Sequence, residues 1–270
     1  MPFVIISAAP YTDGPDIAAR VAERLGCPLI GRELLTAAAE QHGLPEDRLR
    51  QAIDEPPGWR SMPARERKAC IAAIAATVAD RVRDGASVCY GLAAHLYVTG
   101  ISHVLKVRIT DSLDARAGRV EDVGLSRARK RIAKLDAHRR RWVRALFAID
   151  EDDPATFDLV VDRQHATPDE AVEHIVEAAG ARRYQPMSYS LQQAANHALA
   201  SRVRALIADI DPDAEIVADD GRVTISLKAL SADDDRAAEL RRRAAAAPGA
   251  TSVEVKLVED FFARAATSMR

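Results

Sequence analysis

Hydrophobic positions follow two periodicities along the first 180 residues. Short apolar runs, typical of buried strands, occur at residues 3–7, 87–91, 103–109 and 157–162. Between them apolar residues recur at three- and four-residue spacing, which predicts helices at 16–25, 31–41, 69–83, 113–120, 126–147 and 168–179. Strands that alternate with helices predict a parallel sheet that is covered on both faces.

The pattern changes after residue 180. The stretch from Arg182 to Ser190 lacks periodicity and contains a proline, which predicts a linker. Beyond it the order is helix, strand, strand, helix, strand, at residues 191–210, 214–218, 222–227, 233–247 and 252–258. We therefore predict three parts: a domain at 1–180, a linker at 181–190 and a small α+β domain at 191–262.

Composition and charge narrow the class of protein. Of the 270 residues 48% are hydrophobic and 29% charged, which is typical of a soluble globular protein. The 38 basic and 40 acidic residues nearly balance, so charge gives no indication of a specific nucleic-acid partner. Three widely spaced cysteines predict neither a disulfide framework nor a zinc knuckle. The sequence also contains no apolar run of membrane-spanning length and no secretory leader, so we expect a cytoplasmic protein.

The loop after the first strand is the first candidate site. A turn between a strand and a helix N-terminus binds phosphate through free backbone N–H groups. The candidate cofactor-binding residues are Tyr11, Thr12, Asp13, Gly14 and Asp16. Gly14 stands where the phosphate-loop pattern has lysine, and the hydroxyl that holds Mg²⁺ is replaced by Pro15 or Asp16. The alternative is a structural turn in which Asp13 or Asp16 caps the helix.

The helix predicted at 126–147 is the second candidate. It carries nine basic residues between positions 127 and 144, with Asp136 as the only acid among them. Three interpretations remain open: a solvated face, a helix whose arginines bind phosphoryl oxygens, and a surface for a polyanion. The seven histidines are scattered without metal-ligand spacing, so no metal-binding residue is predicted.

Taken in order, these segments resemble the cytidylate kinase-like family, over about the first 180 residues. The resemblance is carried by residues 5–7 and 16–26, Arg32-Glu33-Leu34-Leu35, Tyr90-Gly91-Leu92-Ala93, Asp136 with Arg139, and Phe157-Asp158-Leu159-Val160-Val161. It implies a P-loop α/β fold and phosphoryl transfer that uses ATP and Mg²⁺. It also implies that the catalytic residues are the arginines Arg116, Arg119, Arg139 and Arg140.

The sequence departs from this family at functional positions. The family loop is commonly Y-G-S-G-G, and here it is Pro10-Tyr11-Thr12-Asp13-Gly14. Leu92 replaces the arginine that is implied to hold the phosphate of a nucleoside monophosphate. Because phosphoryl transfer depends on positioning and charge stabilisation, we expect a degenerate kinase that binds a nucleotide or another phosphorylated small molecule. An active cytidylate-like kinase and a non-catalytic assembly protein are the alternatives.

The last 70 residues resemble a BON domain. The resemblance is carried by Leu199, Val203 and Leu206, by residues 214–226, and by the segment Pro248-Gly249-Ala250-Thr251-Ser252-Val253. It implies a module that binds ligands or membranes. In a protein without an export signal, we expect a ligand-sensing or interaction module, and self-association to a homo-oligomer is the alternative. Leu227 replaces a usual glycine, which leaves the turn after that strand open.

Overall fold

The computed structural model describes residues 2–58, 62–121, 123–228 and 234–258. Two of the predicted segments extend beyond these ranges. The first residue of the helix predicted at 233–247 and the last four residues of the predicted second domain lie outside the described residues.

Five parallel strands form the larger sheet, in the order β2-β3-β1-β4-β5. They are β1 (Phe3–Ala8), β2 (Leu29–Ile30), β3 (Val88–Tyr90), β4 (Val104–Thr110) and β5 (Leu159–Asp162). The predicted parallel sheet is therefore confirmed. Strand β2 was not predicted, because two residues are too short to show a periodicity.

Eight helices accompany this sheet in the described part of the chain. They are α1 (Gly14–Leu25), α2 (Leu34–His42), α3 (Glu46–Asp54), α4 (Ala64–Asp84), α5 (Ala94–Tyr97), α6 (Leu113–Gly118), α7 (Leu125–Phe147) and α8 (Pro168–Gly180). The helix predicted at 31–41 begins three residues later, and the helix predicted at 69–83 begins five residues earlier. Helices α3 and α5 were not predicted.

Both faces of the sheet are covered, as predicted. Phe3 and Ile5 of β1 pack into one apolar cluster with α2, α3 and α4. Val4 and Ile6 point to the opposite face and pack into a second cluster with α1 and α8. Because β1 is central and contacts both layers, all six of its residues are buried.

The start of α1 corrects one expectation. Asp13 occupies the N-cap position with φ 60°, yet its side chain makes no capping hydrogen bond. Asp16 lies inside the helix, which begins at Gly14. Neither aspartate therefore caps α1, because the Asp13 carboxylate faces Arg119 and Arg163 instead.

The C-terminal elements form a small mixed sheet with two helices. They are α9 (Ser188–Ile207), β6 (Glu215–Asp219), β7 (Arg222–Lys228), α10 (Asp234–Ala245) and β8 (Ser252–Val258). Strand β7 pairs antiparallel with β6 and parallel with β8. The predicted order α-β-β-α-β is confirmed, and β7 continues through Leu227. Helix α9 begins at Ser188, inside the stretch predicted as linker.

Helix α9 packs against α4, and we call this contact the seam. Ala194 belongs to the apolar cluster of the larger sheet, whereas Leu199 and Val203 belong to the C-terminal core. Across the seam, Arg202 lies 2.6 Å from the carboxylate of Asp80. Helix α9 therefore contributes to both hydrophobic cores. None of the described helices is long and apolar enough to cross a membrane.

Candidate functional site

The candidate site lies at the carboxyl ends of the parallel strands, the usual ligand position in this fold class. The loop between β1 and α1 is tightly turned, with Tyr11 at φ 63° and Asp13 at φ 60°. The Thr12 hydroxyl donates a hydrogen bond to the Ala9 carbonyl at 2.7 Å. A Cβ atom at Gly14 would lie 2.5 Å from that of Ala8, so the loop leaves no room for a side chain there.

Two arginines bring positive charge to this loop, which contains no lysine. Arg119 donates a hydrogen bond to the Tyr11 carbonyl at 3.0 Å. Arg119 and Arg163 approach the Asp13 carboxylate to 3.5 and 3.2 Å. Arg119 also pairs with the buried carboxylate of Asp111 at 2.7 Å. Two carboxylates therefore offset the two guanidinium charges at the loop.

A second charged cluster lies at the end of β1. Arg139 donates hydrogen bonds to the Ala8 carbonyl at 3.0 Å and to the Ser7 hydroxyl at 2.7 Å. It also forms an ion pair with Glu151, which Arg108 approaches to 3.3 Å. Burial raises the pKa of Glu151, and the two arginines oppose that shift. The cluster thus holds a nearly buried carboxylate between two guanidinium groups.

A polar cavity of about 160 Å³ opens beside this cluster. Its walls carry four arginines and three carboxylates: Arg108, Arg116, Arg139, Arg140, Asp136, Glu151 and Asp152. Several guanidinium groups that converge on one space can bind a phosphoryl group through forked hydrogen bonds. An oxyanion entering here competes with the three carboxylates for those donors.

A larger cavity of about 400 Å³ adjoins the polar one, and Pro10 and Arg139 line both. Its walls are mostly apolar and include Leu92, Leu135 and Trp142. Trp142 is fixed in place because its indole N–H donates to the Ala52 carbonyl at 2.8 Å. Together the two cavities fit a molecule with an anionic end and a largely apolar body.

His95 lies in the wall of the larger cavity and is buried. Its ring is 4.9 Å from that of Phe157, and neither ring nitrogen has a partner among the described residues. Burial, with Arg139, Arg108 and Lys106 nearby, lowers the pKa of His95 to about 3. The imidazole is therefore neutral at physiological pH.

The predicted site residues occupy different places. Arg119 contacts the loop, and Arg139 contacts the end of β1, as described above. Arg116 is buried and pairs with Asp136 at 2.8 Å, which joins α6 to α7. Arg140 lies at the rim of the polar cavity, 3.3 Å from Asp152. Asp16 is exposed and lines neither cavity; its carboxylate faces Arg20 at 3.6 Å.

The sequence analysis did not identify four residues of the site: His95, Arg108, Glu151 and Arg163. One signal was available for Arg108, because polar residues alternate with buried ones along β4. Glu151 and Arg163 stand in connecting segments, where no periodicity marks a residue that turns inward.

The side chains at the loop that could ligate Mg²⁺ are engaged in other contacts. The Thr12 hydroxyl is bound to the Ala9 carbonyl, and the carboxylates of Asp13 and Asp111 face arginines. Among residues 2–58, 62–121, 123–228 and 234–258, no group of three or more histidine, cysteine, aspartate or glutamate side chains can hold a metal ion.

Comparison with known families places this site in context. The model of the cytidylate kinase-like family matches residues 3–165, more than half of the chain. The chain belongs to the cytidylate kinase-like family. The matched segment contains the loop between β1 and α1 and the residues that line the two cavities. Relative to the loop Y-G-S-G-G that the family resemblance implies, Tyr11 and Asp13 replace glycines, and both have positive φ angles.

Three solved structures are similar to this chain, and the first of them, with a TM-score above 0.5, supports the fold. An uncharacterized protein from Eubacterium ventriosum is 16% identical, with a TM-score of 0.53, and the match covers 67% of this chain and all of that one. A shikimate kinase from Bacteroides thetaiotaomicron is 10% identical, with a TM-score of 0.40 and coverage of 67% and 99%. A gluconokinase from Sinorhizobium meliloti 1021 is 13% identical, with a TM-score of 0.38 and coverage of 66% and 91%. No curated protein sequence matches the chain.

Proposed function

We propose that the chain binds a nucleotide or another phosphorylated small molecule beneath α6 and α7, without transferring a phosphoryl group. The observation that carries this proposal is the Asp13 carboxylate, held in the phosphate-binding loop by Arg119 and Arg163. The loop keeps its tightly turned shape, but its charge differs from that of an efficient phosphotransferase.

The paired cavities support a two-part ligand. The phosphoryl group would occupy the 160 Å³ cavity, where Arg108 and Arg139 supply donors. The body of the ligand would extend into the 400 Å³ cavity, against Leu92 and Trp142. A nucleoside has the size and the flat apolar face that this second space accommodates.

The distribution of charge at the loop argues against catalysis of phosphoryl transfer. The transferred phosphoryl group carries negative charge that a kinase stabilises with lysine, arginine and Mg²⁺. Here the loop has a carboxylate and no lysine, and the nearby arginines are already paired with acids. Each competing carboxylate reduces the charge stabilisation that remains for a transition state.

An active nucleoside-monophosphate kinase is the second candidate function. Arg119 donates to the Tyr11 carbonyl of the loop, and Arg139 donates to the Ala8 carbonyl at the end of β1. These contacts favour the alternative, because they hold two guanidinium groups near the helix N-terminus, the part of a kinase that binds ATP phosphates. On this alternative an incoming triphosphate displaces Asp13 and Asp111 from Arg119. ATP and Mg²⁺ would then be required, and CMP or a related molecule would be the acceptor.

We further propose that the chain comprises a kinase-like domain at 1–180, a linker at 181–190 and a BON-like module at 191–262. The mixed sheet β6-β7-β8 and its two helices have an apolar core of their own, which supports a distinct C-terminal part. The contact of α9 with α4 supports communication between the two parts.

Calorimetric titration with ATP and with CMP, each with and without Mg²⁺, tests the proposal when a product assay is run on the same samples. We expect binding without product. Arg139→Gln should weaken binding at least tenfold. Arg141→Gln should leave it unchanged, because Arg141 is exposed on the same helix and lines neither cavity.

Either of two results would reject the proposal. Formation of a phosphorylated product that requires Mg²⁺ would establish the kinase instead. Failure of both nucleotides and of inorganic pyrophosphate to bind would exclude a phosphate site and favour an assembly role.

A further inference from the structure

A third cavity lies at the seam, away from the phosphate-binding loop. It has a volume of about 530 Å³ and is bounded by α4, α9, the end of α7 and the end of α5. Leu96, Phe147 and Ile216 supply apolar wall, and Arg204 and His197 of α9 supply polar groups. Residues from both parts of the chain therefore form it.

The charges around this cavity leave one cation uncompensated. Lys68 and Asp213 neutralise each other at 2.5 Å. Arg204 donates one hydrogen bond, to the Ala214 carbonyl at 3.1 Å. Arg204 forms no ion pair with a carboxylate of the described residues, and Glu215 acts on its guanidinium group only at longer range. A half-buried, unpaired guanidinium favours an acidic partner.

The second polar group is neutral. Burial lowers the pKa of His197, against the opposing effect of a hydrogen bond with the backbone of Tyr97. Its Nε2 atom has no hydrogen-bond partner in the described part of the chain. One unpaired positive charge beside a neutral imidazole matches a single negative charge better than the several charges of a nucleotide.

We propose that the seam cavity binds a small organic monoanion, a carboxylic acid with an apolar body. Its carboxylate pairs with Arg204, and its body packs against Leu96, Phe147 and Ile216. This site is separate from the proposed nucleotide site and differs from it in ligand chemistry.

The seam cavity shares two structural elements with the 400 Å³ cavity. In α5, His95 lines the 400 Å³ cavity, whereas Leu96 and Tyr97 line the seam cavity. The Phe147 ring, in the seam wall, lies 5.7 Å from that of Trp142 and 5.9 Å from that of Tyr97. A carboxylate ligand at the seam thus contacts residues that position the wall of the other cavity.

Fluorescence titration with 1-anilinonaphthalene-8-sulfonate, followed by displacement with octanoate, tests the site in the full chain. The probe is an aromatic monoanion, and octanoate is a carboxylate with an apolar body. We expect saturable binding that octanoate displaces, and at least tenfold weaker binding in Arg204→Gln. Arg65→Gln is the matched control, since Arg65 also donates to a carbonyl across the seam, that of Ile210 at 2.8 Å, but does not line the cavity.

A second variant keeps the test decisive if Arg204→Gln does not fold. Ala200→Leu narrows the cavity beside Arg204 and retains the guanidinium group, and it should weaken probe binding at least tenfold while the melting temperature stays near that of the wild type. The proposal is overturned if the wild type does not bind the probe, if octanoate does not displace it, or if a folded variant of either kind binds as tightly as the wild type.

Discussion

Replacing Asp13 by Asn tests the charge argument at the loop between β1 and α1. Asparagine is nearly isosteric with aspartate and tolerates the left-handed backbone found at this position. The substitution therefore removes a negative charge with little effect on the loop shape. Arg119 and Arg163 would keep their positive charges.

The size of the effect follows from Coulomb's law. A phosphate at the loop would lie roughly 6 Å from the carboxylate, where two unit charges repel by about 3 kcal/mol at an effective dielectric constant near 20. The Asp13 side chain is 36% exposed, so solvent screening removes about half of this repulsion. About 1.5 kcal/mol remains, and ATP should bind the variant about tenfold more tightly.

The assay is a calorimetric titration of ATP into the wild type and Asp13→Asn at low and moderate salt. The difference in affinity should shrink as salt rises, because screening weakens the repulsion that the variant lacks. Asp220→Asn is the matched control, since Asp220 is an exposed aspartate with positive φ in the C-terminal hairpin. Equal or weaker ATP binding by Asp13→Asn would refute the reasoning and would indicate that the carboxylate contributes to the site.

Three further variants probe the fold around the site. Gly14→Ala places a methyl carbon 2.5 Å from that of Ala8, so we expect urea unfolding to show a loss of about 2 kcal/mol. Burial lowers the pKa of His95 in the folded state from 6.5 to about 3. The contribution of this group to stability is therefore present above pH 6.5 and is lost as the pH falls toward 3. His95→Gln should reduce the fall in unfolding free energy, measured by urea unfolding, between pH 7 and 4. Arg202→Ala leaves the nearly buried Asp80 without its nearest cation, and thermal unfolding should show a loss of about 2 kcal/mol.

Each of these variants has an exposed counterpart. Gly124→Ala adds a methyl group in open space, His165→Gln removes a solvent-exposed imidazole, and Arg222→Ala removes a surface ion pair. Each prediction fails if a variant and its counterpart behave alike. For the two glycine variants this means equal urea midpoints. For the two histidine variants it means an equal fall of the unfolding free energy between pH 7 and 4, and for the two arginine variants equal melting temperatures.

The main elements were predictable from local pattern. The apolar run at 3–7 predicted the buried central strand, because a strand covered on both faces has no polar side. Helices α3 and α5 escaped prediction for different reasons. Helix α3 has only two buried residues, Leu49 and Ala52, and α5 has only four residues in all.

The electrostatics of the site were less accessible to sequence reasoning. Arg163 reaches Asp13 from 150 positions along the chain, and Arg139 reaches Ser7 from 132. Such pairs depend on how strands are ordered in the sheet, which a local pattern does not encode. The sequence showed that the loop lacks a lysine, but it did not show which distant arginines take up positions beside it.

The contribution of α9 to two cores affects how the chain can be divided. A cut at residue 180 would remove the helix that covers α4 and would leave Asp80 without Arg202. Helix α9 is equally needed by the mixed sheet, which packs on Leu199 and Val203. Neither part is therefore a freely exchangeable module. A chimeric protein that retains the kinase-like part in its folded form has to include residues 188–207.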